Sequence, residues 1–95
     1  MNNYYLSIIL KPKNQVEILL KKGSRLLNRA FWQDRQDLDK KLLPAIDKIF
    51  KKSNIGIKDI KTVNFSFAKD TSFIAQQIGR ATSKSITFAL GKNNI

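Results

Sequence analysis

The chain has 95 residues, 42% of them hydrophobic, which is enough apolar material for one domain over residues 1–95. It contains no cysteine and no histidine. This excludes disulfides, thiolate nucleophiles, imidazole-based triads and the usual zinc and copper sites. The formal net charge is +11, from 18 Lys and Arg against 7 Asp and Glu. Such an excess is typical either of a surface that binds polyanions or of the lysine drift that an AT-rich genome produces.

Three strands are predicted in the first third of the chain. The segment Tyr4–Lys11 is apolar on both faces, which is typical of a central strand covered on two sides. It is too short to span a bilayer and lacks the flanks of a signal peptide, so we expect a cytoplasmic protein. Pro12 and Asn14 supply turn chemistry before a strand over residues 16–22. Gly23-Ser24 then predicts a hairpin leading to a third strand over residues 25–32.

A helix is predicted over residues 37–53, with the Asp37 carboxylate as its cap. The apolar positions of this helix spread over an arc that is wider than packing against one sheet usually needs. They are Leu38, Leu42, Ile46, Ile49 and Phe50. Pro44 inside this segment indicates either a regular helix that starts at Pro44 or a built-in kink, and we favour a kink or a loose first turn.

The remaining elements complete an α/β fold. Residues 57–62 are predicted as a connector, residues 63–68 as a fourth strand and residues 72–90 as a second helix, capped by Asp70 or Thr71. The order β-β-β-α-β-α predicts a mixed four-stranded sheet with two packed helices on it.

The second helix is predicted to carry two apolar faces. The inward stripe is expected to be Ile74, Ile78, Ala81, Ser85, Phe88 and Ala89. Beside it lies a strip of small residues, Ala75, Gly79 and Thr82. Because glycine inside a helix costs about 1 kcal/mol relative to alanine, we expect another helix or strand to press against Gly79. Phe73, on the opposite arc, is either a staple at the helix start or an aromatic anchor in a protein interface.

The first helix also carries a basic face within roughly a 120° arc. Its members are Lys40, Lys41, Lys48, Lys51 and Lys52. This face is either simply solvated or able to follow a phosphate backbone. The four glycines are isolated, and no pair of acids stands out as a catalytic pair. We therefore expect no enzyme activity, no metal and no cofactor.

Four short motifs in the second half of the chain occur in the same order as in a known protein family. They are Leu42-Leu43-Pro44-Ala45-Ile46, Ile57-Lys58-Asp59-Ile60, Ser72-Phe73 and Ile78-Gly79-Arg80-Ala81-Thr82-Ser83-Lys84. Their order resembles the TsaB (YeaZ) family, over residues 38–91 by motif and over the first 37 by element order. The resemblance implies an actin-like, RNase H-like half-domain, and a family that tolerates proline in its first helix.

The chain departs from that family at its ligand-binding positions. Ile8-Ile9-Leu10-Lys11 stands where the family carries Ile-Asp-Thr-Ser, and Lys69-Asp70-Thr71 replaces its Gly-Pro-Gly loop. The fifth strand and the second half-domain of the family are not in this sequence. We therefore expect the nucleotide site, which this fold class builds between two lobes, to be incomplete.

The resemblance implies a non-catalytic scaffold subunit. Such proteins pair with a TsaD-type ATPase subunit, or with themselves, through two helices during threonylcarbamoyladenosine modification of tRNA. The interface predicted here comprises Leu42, Ile46, Phe73, Ala75, Gln77, Gly79, Arg80, Thr82 and Ser83. Gly79→Leu is then expected to abolish association and to leave the isolated fold largely intact. The alternatives are a nucleic-acid (tRNA)-binding module that uses the five lysines, and a fragment or subunit with an unrelated partner.

Overall fold

A computed structural model of the protein describes residues 3–34 and 37–93, with the backbone alone for residues 87–93. The elements are β1 Tyr4–Lys11, β2 Gln15–Lys22, β3 Arg25–Gln33, α1 Leu38–Ser53, a 3-10 turn Ile57–Asp59, β4 Ile60–Phe67 and α2 Phe73–Asn93. The predicted α/β class and element order are confirmed. Neither helix is long and apolar enough, in its described residues, to cross a membrane.

Two tight turns with left-handed residues connect the first three strands. Lys13 and Asn14 have φ angles of 62° and 61°, and Gly23 has a φ of 61°. Asparagine and glycine tolerate this region better than other residues, so the turns form where the sequence predicts them. The first three strands accordingly begin and end within one residue of the expected bounds.

The sheet has the strand order β3-β2-β1-β4. β1 pairs antiparallel with β2 and parallel with β4, and β2 pairs antiparallel with β3. The sheet is therefore mixed, as predicted. β3 and β4 are its two edge strands.

The core lies between one face of the sheet and the two helices. The fully buried residues of the two central strands all point to this face; they are Leu6, Ile8, Leu10, Val16, Ile18 and Leu20. On the opposite face Tyr5, Ser7 and Ile9 are only half-buried. The prediction that β1 is covered on two sides is therefore wrong for the described part of the chain, because both helices pack on one side.

Helix α1 buries the five positions expected from its periodicity: Leu38, Leu42, Ile46, Ile49 and Phe50. Pro44 lies exposed inside a helix that is continuous from Leu38. The regular helix therefore starts before Pro44 rather than at it.

Both helices begin differently from the prediction. Asp37 takes a left-handed conformation, with a φ of 57°, and its side chain makes no capping hydrogen bond. At the start of α2, Oγ of Ser72 accepts a hydrogen bond from the N–H of Ala75 at 3.2 Å. Ser72 therefore provides the cap expected from Asp70 or Thr71.

The inward face of α2 also differs from the prediction. Ile74 is 72% exposed, and Ala81 and Ser85 are exposed as well. Phe88 and Ala89 lie outside the residues whose side chains are described. The buried positions are Ala75, Gly79, Thr82 and Ile86. The strip of small side chains therefore faces the sheet.

Gly79 lies against the ring of Phe65 in β4. A Cβ at position 79 would overlap with Cε1 and Cζ of that ring. This confirms that a strand presses closely on Gly79, but the strand belongs to the same chain. The expectation for Gly79→Leu is therefore corrected: a leucine side chain here must disturb the fold itself.

Candidate functional site

The two helices leave an apolar cleft between them, which we call the helix cleft. It encloses about 560 Å³, and its apolar walls are Leu43, Ile46, Phe50, Ile55, Ile57 and Ile86. An ion pair between Asp47 and Lys51, with Nζ and Oδ2 2.9 Å apart, lies at its rim. Leu43 is 50% exposed, so the cleft presents a large apolar side chain to solvent.

The first turn of α2 exposes two further apolar side chains. Phe73 and Ile74 are each 72% exposed. Of the two interpretations of Phe73, packing as a staple is therefore wrong, because a packed ring would not be so accessible. Large apolar side chains left in water on one element are typical of a surface that another molecule covers.

The predicted interface residues divide between the surface and the core. Phe73, Gln77 and Arg80 are exposed and Ser83 is half-buried. The others are buried in this chain: Leu42, Ile46, Ala75, Gly79 and Thr82. Ile46 lines the floor of the helix cleft and therefore remains an interface candidate. The other four are buried inside this chain, so they belong to its core and not to an interface.

Sequence reasoning missed three of the residues that line the helix cleft. Leu43 borders the arc of α1, and Ile86 belongs to the true inward face of α2. Ile57 comes from the 3-10 turn, which was predicted as a plain connector. The wide arc of α1 was the one signal for Leu43, since a helix that touches only a sheet needs a narrower apolar stripe.

A second groove runs between the edge strand β3 and helix α1, and we call it the β3–α1 groove. It encloses about 380 Å³ and is lined by residues 28–32 of β3 together with Ala45, Lys48, Ile49 and Lys52 of α1. Its charged lining residues are Arg29, Lys48 and Lys52, and the described part of the chain contributes no carboxylate to it.

The five lysines of the predicted basic face, Lys40, Lys41, Lys48, Lys51 and Lys52, are all exposed. They do not form a single site. Nζ of Lys41 lies 3.7 Å from Oδ2 of Asp34, and Lys51 pairs with Asp47 at the helix cleft. Two of the other three line the β3–α1 groove.

The open face of the sheet holds a compact ionic cluster around Glu17. This carboxylate is 6% exposed, lies 2.9 Å from Nζ of Lys11 and accepts a hydrogen bond from Nε of Arg29. Lys11 and Arg29 lie diagonally across the neighbouring strands, within reach of long side chains. The hydrogen bond from Lys11 lowers the pKa of Glu17 most, burial opposes it, and Arg29 lowers it further. Among the described residues no group of three or more acids could hold a metal ion.

Glu17→Gln is expected to reduce the free energy of unfolding at pH 7 by about 1–2 kcal/mol, because it removes two charge-assisted hydrogen bonds at a buried position. Since the folded-state pKa lies below the ordinary 4.5, this stabilisation is present above pH 4.5 and is lost as the pH falls through the folded-state value. Urea denaturation of both proteins at pH 7 and pH 3 measures this.

The matched control for that experiment is Asp47→Asn, which removes the exposed pair with Lys51. An exposed i,i+4 pair contributes about 0.5 kcal/mol or less, so this variant should stay close to the wild type. A Glu17→Gln protein that is as stable as the control at pH 7 would contradict a stabilising role for the cluster.

Comparison with known proteins gives a structural match alone. No family model and no curated protein matches the sequence. A solved structure of YeaZ from Pseudomonas aeruginosa superposes with a TM-score of 0.76 at 14% identity, over 93% of this chain and 40% of that one. A protein described as similar to peptidase YeaZ from the same organism gives a TM-score of 0.75 at 14% identity, over 93% and 39%.

The fold is YeaZ-like. At 14% identity the match shows the fold and nothing finer. The mixed four-stranded sheet with its two helices corresponds to a half-domain of the YeaZ-like, actin-like fold. The chain spans about two-fifths of the length of the two YeaZ structures.

Proposed function

We propose that this chain is a non-catalytic scaffold subunit resembling TsaB. It binds a TsaD-like subunit, or a second copy of itself, through its two helices, in the threonylcarbamoyladenosine modification of tRNA. The helix cleft is the observation that carries this proposal, because it is apolar, open and formed by both helices. The YeaZ-like fold supports this choice of partner, because the sequence motifs resemble a family whose members pair with a TsaD-type subunit.

The fold leaves several large apolar side chains of the two helices in water. Leu43 at the cleft and Phe73 and Ile74 at the start of α2 are between 50% and 72% exposed. Covering apolar surface contributes about 25 cal/mol per Å², so these side chains favour association. The ion pair at the rim of the cleft fits the polar border that usually surrounds an apolar interface core.

The chemical step is assigned to the partner rather than to this chain. The sequence has neither histidine nor cysteine. The acid most enclosed by the fold, Glu17, is neutralised by Lys11 and Arg29 on the open face of the sheet, away from the helix cleft. A scaffold role requires a stable surface, which the two helices provide.

Thiol labelling tests the proposal, since the chain contains no cysteine of its own. Leu43→Cys places one thiol at the cleft, and Leu26→Cys places one on β3 at the same 50% exposure. With a TsaD-like subunit in excess, maleimide labelling at position 43 is expected to slow about tenfold or more, because a buried interface excludes the reagent. Labelling at position 26 should not change.

The same labelling experiment distinguishes the two partners. Protection at position 43 that grows with the concentration of this chain alone assigns the cleft to a second copy. Protection that requires the TsaD-like subunit assigns it to that subunit. Equal labelling rates at position 43 under all these conditions would contradict the proposed interface.

A further inference from the structure

The open face of the sheet, opposite the two helices, presents aromatic and basic side chains from three neighbouring strands. Tyr5 of β1 is paired with Lys21 of β2, and Glu17 of β2 is paired with Phe31 of β3. Because alternate residues of a strand share one face, Arg29 lies on this face together with Phe31. Neither helix packs on this side within the part of the chain that the structure describes.

Each of the two aromatic rings has a cation beside it. Phe31 is 46% exposed, and the guanidinium carbon of Arg29 lies 5.3 Å from the centroid of its ring. Tyr5 is half-buried and directly opposite Lys21, a position at which Cβ atoms lie about 5 Å apart. Phe31 is two strands across and four residues along from Tyr5, which places the two rings about 16 Å apart.

The charge of this face favours an anionic occupant. Glu17 is the only acidic residue in the four strands, and Lys11 and Arg29 neutralise it. Arg29 uses Nε for this contact, which leaves the other four N–H groups of its guanidinium as donors. Lys21 adds a further positive charge. The net charge of +11 on the whole chain attracts anions to this face from a distance.

The fourth strand extends the face with neutral polar groups. Thr62, Asn64 and Ser66 of β4 are exposed, and they are paired with Tyr5, Ser7 and Ile9 of β1. Hydroxyl and amide groups both donate and accept hydrogen bonds, so this strip suits base edges and sugar hydroxyls. A partner helix needs a broad apolar surface instead, and here polar β4 and the ionic cluster around Glu17 leave little room for one.

We propose that the open face of the sheet binds single-stranded nucleic acid. One base stacks on Phe31 beside Arg29, another stacks on Tyr5 beside Lys21, and the phosphates contact the two cations. Sheets of four strands that bind RNA stack two or three bases on aromatic side chains in this way. The inference does not depend on the proposed scaffold role, because the helix cleft lies on the other side of the sheet.

Fluorescence anisotropy with labelled oligouridylate and oligothymidylate of about ten nucleotides tests the proposal. A duplex of the same length is the comparison, and its bases are stacked on one another and cannot lie on the rings. We expect both single strands to bind more tightly than the duplex. The stronger binder of the two distinguishes RNA from DNA as the preferred ligand.

Two substitutions of Phe31 separate base stacking from simple apolar contact. Phe31→Leu keeps an apolar side chain but removes the π-face, and it is expected to weaken binding of the single strands about fivefold or more. Phe31→Tyr keeps the ring and should bind within about twofold of the wild type. Because the ring lies outside the core, both variants should unfold at the wild-type temperature in circular dichroism.

A charge-matched pair of variants locates the phosphates. Lys21→Gln is expected to flatten the dependence of log affinity on log salt by about 0.7, the amount for one lost phosphate contact of a single strand. Lys48→Gln removes the same charge from α1, on the other side of the sheet, and should leave this slope unchanged.

Four results would overturn the proposal. The first is no measurable binding of either single strand at low salt, and the second is a duplex that binds as tightly as they do. The third is an equal loss of slope in Lys21→Gln and Lys48→Gln, which assigns binding to the overall positive field. The fourth is binding by Phe31→Leu at the wild-type affinity, or a polyglutamate peptide that competes equally well, which identifies a polypeptide as the occupant.

Discussion

Gly79→Leu is expected to destabilise the chain by about 1–3 kcal/mol, a large part of the stability of a small domain. Even a Cβ at this position would overlap the ring of Phe65, and leucine adds three more carbon atoms in the same direction. The loss should occur although leucine is a better helix former than glycine by about 1 kcal/mol. Thermal unfolding followed by circular dichroism measures it.

Ala81→Leu is the matched control, because position 81 lies exposed on the same helix. This variant should be as stable as the wild type. In a double-mutant cycle, Gly79→Ala with Phe65→Ala should be less destabilised than the sum of the two single variants by about 1 kcal/mol or more, because removal of the ring relieves the overlap with the new Cβ. If Gly79→Leu unfolds at the same temperature as Ala81→Leu, the close packing of α2 on β4 is wrong.

The hairpins and the first helix were predictable because their signals are local. The turn residues Pro12, Asn14 and Gly23 fix where the first strands end, whatever the rest of the chain does. The five inward positions of α1 follow from spacing alone, and the structure buries all of them. For these elements, local chemistry and tertiary packing favour the same arrangement.

The face of α2 was predicted incorrectly because its packing depends on a partner strand. Ranking by hydrophobicity turns Ile74 inwards, whereas the structure exposes it and buries Gly79. The reason is Phe65, whose large ring fills the space above β4 and admits only a residue without a side chain. The alternation of apolar and polar residues in β4 shows that Phe65 lies on one face of its strand. It does not show which position of α2 the ring contacts.

The candidate sites were predictable in part. The lysine periodicity of α1 identifies the basic face, but it does not separate Lys48 and Lys52 from the members that are held in ion pairs. That separation arises because α1 packs beside β3, which places Lys48 and Lys52 next to Asn28, Ala30 and Trp32 on the inner face of that strand. Such a meeting of distant residues is a property of the three-dimensional fold, and no spacing in the sequence encodes it.

The central claim is that the helix cleft is an interface, and Leu43→Asp tests it at one side chain. Leu43 is 50% exposed and lines the cleft, so a carboxylate there leaves the core intact but places an unpaired charge in the interface. The association constant with a TsaD-like subunit, or for self-association, is expected to fall by about tenfold or more.

The most direct measurement compares Leu43→Asp with Leu26→Asp in sedimentation equilibrium of the chain with and without the TsaD-like subunit. Leu26 on β3 has the same side chain and the same 50% exposure, but it lies outside the cleft. We predict that Leu43→Asp sediments as the isolated chain while Leu26→Asp assembles like the wild type. If both variants assemble equally well, the two helices do not provide the docking surface.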